Sequence, residues 1–255
     1  MVCAVPHALV SPASNYERWY EHFLRNRQTG SPLPWDDSCQ LSTAERALVA
    51  RSIQQFQLGE WANGRGLRQR ASSNPCFAAD RFFQAALDLF IQEEQGHSAL
   101  LGRFLDREQI PRLKDDPIDH VFRRLRKMAG LEACVTVLVT AEMLALPFYR
   151  ALRDATRSNL LRCICLQVLR DEAHHLKYQA LTLRLLQRPI SAGGRAIRLV
   201  LHSALFDGTA LILWRQHRAV FRAAGWNFHR FWREAHRGFA RLQRMIFAEF
   251  ASPAL

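Results

Sequence analysis

Apolar residues recur along most of this 255-residue chain at steps of one, three and four, and strand-like alternation is nearly absent. That period marks one face of a helix, so the fold class read from the sequence is all-α. Residues 1–12 read as a loose terminus. Residues 14–27 read as a short helix with Trp19, Tyr20, Phe23 and Leu24 inward, ended by Thr29-Gly30-Ser31-Pro32. Ser42-Thr43-Ala44-Glu45 is a capping box. It opens a long helix expected to fade only by Ser72, with Gly59, Gly64 and Gly66 as poor helix formers inside it. Asn74-Pro75 reads as an N-cap with proline at the first helical position. The helix that follows runs to about Glu108, with Phe82, Phe83, Leu87, Phe90, Ile91, Leu101 and Leu105 on one stripe.

Residues 109–130 read as a polar crossover carrying a short basic helix at 118–128. A strongly apolar helix follows through Leu146, and Pro147 is expected to kink it. Thr156-Arg157-Ser158-Asn159 is a turn signal, and the fourth long helix covers residues 159–187. Ser191-Ala192-Gly193-Gly194 reads as a flexible joint, with two further helices at about 195–223 and 228–250. The organisation expected is an arm with a short helix at 1–41, a four-helix bundle of two antiparallel hairpins joined by a crossover at 42–190, and a basic, aromatic-rich pair of helices at 191–255 packed on it.

The net charge of +12, with 35 basic against 23 acidic residues, suits an anionic partner. Arg230, Arg233, Arg237, Arg241 and Arg244 form one stripe on the last helix. It reads as the wet face of a docked helix, with a nucleic acid or membrane surface as the alternative partner. The apolar stretches at 133–148 and 199–214 are interrupted by Glu142 and by His202 and Asp207, and read as too short to span a bilayer. The six cysteines make neither a zinc spacing nor a disulfide framework. With no signal-peptide pattern at the start, the expected compartment is the cytoplasm.

The chemistry lies in two related stretches, Glu93-Glu94-Gln95-Gly96-His97 and Asp171-Glu172-Ala173-His174-His175. Residues three apart share a helix face, so Glu94 with His97, and Glu172 with His175, each offer a carboxylate and an imidazole to one point. Glu60 precedes Glu94 by 34 positions and Glu142 precedes Glu172 by 30. In antiparallel hairpins those spacings place each lone Glu level with its partner motif, roughly 20–25 Å from the turn. Four carboxylates and two imidazoles from four helices are the ligand set of a di-iron or di-manganese bundle. A lone acid such as Glu142 inside the run from Val135 to Leu146 is costly unless paired or bound to metal. Hard oxygen donors with some nitrogen suit iron or manganese over zinc or copper.

On these motifs the chain resembles the ferritin-like di-iron superfamily over residues 43–187. The resemblance implies that Glu60, Glu94 and His97 hold one iron ion and Glu142, Glu172 and His175 the other, with Glu94 and Glu172 as bridges and Fe/Mn as an alternative pair. It implies that Asp171 and Glu93 accept hydrogen bonds that orient the histidines, and names no catalytic residue beyond the ligands. His174, one step round the helix, is read as a non-ligand. The reductases of this superfamily carry a radical tyrosine one turn past the first motif, where this chain has Leu101; Tyr149 and Tyr178 are read as core. The activity implied is activation of dioxygen to oxidise or hydroxylate an unidentified substrate, using an external electron donor. A ferroxidase without organic substrate, a tRNA-modifying hydroxylase and a quinone hydroxylase, which would carry a membrane-facing apolar surface, are the alternatives, and a homodimer is an admissible assembly.

Overall fold

The structure, a computed structural model, describes residues 13–29, 32–61, 64–128 and 130–248. The expectations for residues 1–12 and for the far end of the last helix lie outside them. The described residues are all-helical: α1 (Ala13–Gln28), α2 (Thr43–Glu60), α3 (Arg65–Ser72), α4 (Arg81–Arg107), α5 (Pro117–Met128), α6 (Leu131–Ala155), α7 (Asn159–Gln187), α8 (Ala192–Ala223) and α9 (Phe228–Phe247).

The most apolar segment, α6, is the central rod. It packs along α7 and also touches α5, α8 and α9, and its Val139, Leu144, Phe148 and Leu152 are buried. It runs through Pro147 without interruption to Ala155. The short turn at 156–158 returns the chain into α7, which Ser158 caps through the Leu161 N–H. α2 and α4 pack together, α4 meets α7, and α1 lies along α4. α9 is an amphipathic helix with Phe231, Ala235, Leu242 and Ile246 inward and Arg230, Arg233, Arg237, Arg241 and Arg244 exposed.

Several expectations are corrected. The capping box is only half made. Ser42 accepts from the Glu45 N–H, but the Glu45 carboxylate reaches across to the Thr156 hydroxyl and, at 2.8 Å, to the Arg157 N–H. The single helix expected to Ser72 stops at Glu60. Gly64, just before α3, takes a left-handed φ of +65°, and a Cβ there would lie 2.6 Å from Ile91 Cδ1, so only glycine fits. Asn74-Pro75 does not open α4. Asn74 caps a local turn through the Cys76 N–H, and Asp80 caps α4 through the Phe82 and Phe83 N–H groups. The joint at 191–194 is the first turn of α8, with Ser191 as its cap. Finally, α6 and α8 are each long and apolar enough, by length and composition, to cross a membrane. Their interrupting polar groups do not shorten them below that limit. α6 is mostly buried, whereas only 17% of the apolar window of α8 is.

Candidate metal centre

The level of the site is set from one end of the bundle. The Glu45 contacts hold the start of α2 beside the α6–α7 turn. Glu60 lies fifteen residues beyond Glu45, Glu142 fourteen before Thr156, and Glu172 fifteen beyond Arg157. At about 1.5 Å per residue all three arrive some 20–23 Å from the turn. Glu60 therefore reaches the common level as the last residue of α2. The hairpin symmetry read from its spacing to Glu94 is not the cause.

The six side chains converge. Ligand atoms of Glu60, Glu94, His97 and Glu172 all lie within 4.8 Å of one another, as do those of Glu94, Glu142, Glu172 and His175. Glu94 and Glu172 belong to both groups. His175 Nδ1 stands 2.9 Å from Glu94 Oε1 and 3.5 Å from Glu172 Oε2, and His97 Nδ1 stands 3.4 Å from Glu172 Oε1. None of these approaches has hydrogen-bond geometry. Glu94 Oε1, Glu142 Oε2, both Glu172 oxygens and both Nδ1 atoms are buried without a hydrogen-bond partner. Six orphaned polar atoms facing one small volume are costly unless something binds them. A pair of cations satisfies every one, so the residues present fit a metal site.

The outer faces of the imidazoles are held crosswise. Asp171 of α7 stands 3.2 Å from His97 Nε2 of α4, and Glu93 of α4 stands 2.8 Å from His175 Nε2 of α7. An acceptor on Nε2 fixes the tautomer that presents Nδ1 inward. Asn26 of α1 donates to both acids, at 2.6 Å to Glu93 and 3.2 Å to Asp171. No sequence signal singled it out. Tyr149, read from the sequence as core, is corrected in part: it is fully buried, but its hydroxyl donates to Glu60 Oε1 at 3.2 Å. Gln179 donates to Glu142 Oε1. His174 turns away, bonding the Arg170 carbonyl and stacking on His22 at 4.3 Å. Tyr178 and Leu101 are buried core.

The electrostatics follow from crowding. Burial, then the charges of Glu94 and Glu172, push Glu60 and Glu142 well above the usual carboxylate range. For His97 and His175 burial acts downward, but the surrounding carboxylates outweigh it and hold both well above the ordinary histidine value. Burial would raise Glu172 too; the two adjacent imidazoles outweigh it and hold it low.

The carboxylate side opens on a cavity of about 170 Å³ that reaches Glu60, Glu94 and Glu142. Its walls are mostly apolar, including Phe56, Leu138, Ala141, Ala145, Ile212 and Leu213. Glu60 and Glu94 remain half-buried because they border it. Gly59 also faces it, with open space where a Cβ would stand. Comparison with protein-family models, with curated proteins and with solved structures finds no match to this chain.

Proposed function

We propose that this protein is a ferritin-like di-iron (or Fe/Mn) protein that activates dioxygen to oxidise or hydroxylate a small organic substrate. The ligand roles follow the two groups: Glu60 and His97 at one ion, Glu142 and His175 at the other, Glu94 and Glu172 shared between them. Bound there, a pair of redox-active divalent ions would supply electrons to dioxygen. For a hydroxylation the balance is one oxygen atom into a C–H bond and one released as water, with two electrons and two protons from an external donor.

The observation that carries this reading is the apolar cavity ending on Glu60, Glu94 and Glu142. A path for iron alone would be lined with free acids. Here the acids of the lining that are not at the cluster, Asp116 and Asp119, already face Arg51 and Arg123 at 2.8 and 2.5 Å. Around that opening the chain's own residues position and dry the site. Tyr149 holds one oxygen of Glu60 and Gln179 one oxygen of Glu142, which would leave the other oxygen of each free to bind an ion. Phe56 and Phe148, stacked 3.7 Å apart, exclude water beside Tyr149.

The test is oxygen uptake by the ferrous-loaded protein. The expected result is one dioxygen consumed per two ferrous ions, then continued uptake only when a reductant is supplied. Ala141→Leu, which narrows the cavity, keeps the metal content and slows uptake. Continuous oxidation of excess ferrous ion without reductant would favour the ferroxidase. No reaction with dioxygen would overturn the oxidase reading.

A further inference from the structure

An amphipathic surface helix has a polar outer face; α8 does not. Its inner face packs on α6 and α9 through His202, Phe206 and Ala210. Its outer face, traced at steps of three and four, carries Ile197, Val200, Leu201, Ala204, Gly208, Leu211 and Ile212. The large side chains among them are 41–67% exposed. The apolar stretch is about 22 Å long. A helix apolar all round is covered by something on both sides.

Charge decides what the cover is. Arg215 continues the same outward stripe, and Arg218 and Arg222, beyond a kink at His217 (φ −109°), are exposed as well. The acid of α8, Asp207, is turned to His236 at 3.2 Å. A second copy laid along this stripe in parallel would set arginine against arginine. Laid antiparallel, it would offer those arginines no acid from α8. The apolar strip is also one helix wide, a footprint on the order of 250 Å² at a helix diameter of ~10–12 Å, below the ~800 Å² per partner of a standard specific interface. An anionic lipid leaflet meets both halves of the stripe, acyl chains under the apolar part and headgroups around the arginines.

We propose that the outer face of α8 docks this protein on an anionic lipid leaflet. The helix lies on the leaflet and does not cross it. Its inner side chains are fixed to the protein, with His202 bonded to Thr140 and Gln243 at 3.0 Å each. Phe228, 41% exposed, packs on Trp214 of α8 at 5.5 Å and adds a further exposed apolar side chain. Ile212 belongs to both surfaces: it is exposed on the stripe and it lines the cavity to the metal cluster. Docking therefore sets the cavity beside the lipid, and the substrate class becomes a lipid-soluble molecule drawn from the leaflet. That corollary rests on the oxidase reading; the docking does not, because it is measured without metal or turnover.

The experiment is co-flotation of the full-length chain with vesicles of mixed phosphatidylglycerol and phosphatidylcholine, and with phosphatidylcholine alone. The expected result is binding to the anionic vesicles, with weaker binding to the neutral ones. Ile197→Asp with Leu201→Asp and Leu211→Asp, all at exposed positions, lowers the bound fraction about tenfold or more. Arg215→Glu with Arg218→Glu and Arg222→Glu removes the preference for anionic vesicles, an expected loss of about tenfold or more. Circular dichroism confirms that both variants stay folded. Absence of wild-type binding, or equal binding by the variants, overturns the proposal. So does a dimer in light scattering that the aspartate variant splits, since a second copy would then cover the face.

Discussion

The two sides of the acidic cluster are built differently. On the histidine side every outward group is tied down: Asp171 and Glu93 brace the imidazoles crosswise, and Asn26 of α1 ties the two acids together. On the cavity side each lone carboxylate has one neutral donor, Tyr149 or Gln179, and apolar walls. The braced side fixes where imidazole nitrogen atoms point. The lightly held side restrains only one oxygen of each carboxylate.

The comparison breaks most completely at the residues common to both sides. Glu172→Ala is expected to abolish binding of both ions, since Glu172 contributes to both groups; metal content of the purified variant, by mass spectrometry, checks it. A variant that kept both ions would show that Glu172 is not shared. The braced side is tested next. Asp171→Asn or Glu93→Gln should weaken metal affinity by about 10–100-fold, because the tautomer and aim of one imidazole are lost. Competition with a chelator measures this, and an affinity equal to wild type would make the crossed acids ornamental.

Acidity separates the two sides by another route. With His97 and His175 held above the ordinary value, a cation must compete with protons for each Nδ1. Affinity therefore rises with pH, by about tenfold per pH unit for each proton displaced. Proton release in weakly buffered solution during metal titration tests the sign; uptake of protons, or none exchanged, contradicts it. The smallest effect belongs to the lightly held side. Tyr149→Phe deletes one hydrogen bond to Glu60 and should cost about 1 kcal/mol in thermal or denaturant stability of the metal-free protein. It should change metal affinity only a few-fold. A loss as large as that of Asp171→Asn would erase the distinction between the sides.

Much of this could be read from the chain itself. The helices announced themselves by period, and Glu142 stood out because no solvated face surrounds it in the apolar run that became α6. The paired Glu and His residues three apart needed only helical geometry to share a face. What stayed hidden is mostly long-range. Gly64 precedes α3 with a left-handed φ, and only a glycine fits there because Ile91, far along the chain, fills the space a Cβ would need. Asn74 and Asp80 are both competent caps, and local pattern does not choose between them. Glu45 caps a turn more than a hundred residues away and so aligns Glu60 with Glu142. Asn26, Tyr149 and Gln179 are single polar contacts with no periodic signature. The bare face of α8 was read as interrupted by His202 and Asp207, but both turn inward or sideways to partners on other helices.

The central claim is that six side chains cage a pair of cations. It is tested most directly by titrating the metal-free protein with manganous ion while recording electron paramagnetic resonance. Two ions bound per chain, with the spectrum of isolated manganese replaced by that of an exchange-coupled pair, is the result predicted. A single ion per chain, two uncoupled ions, or no binding would contradict it.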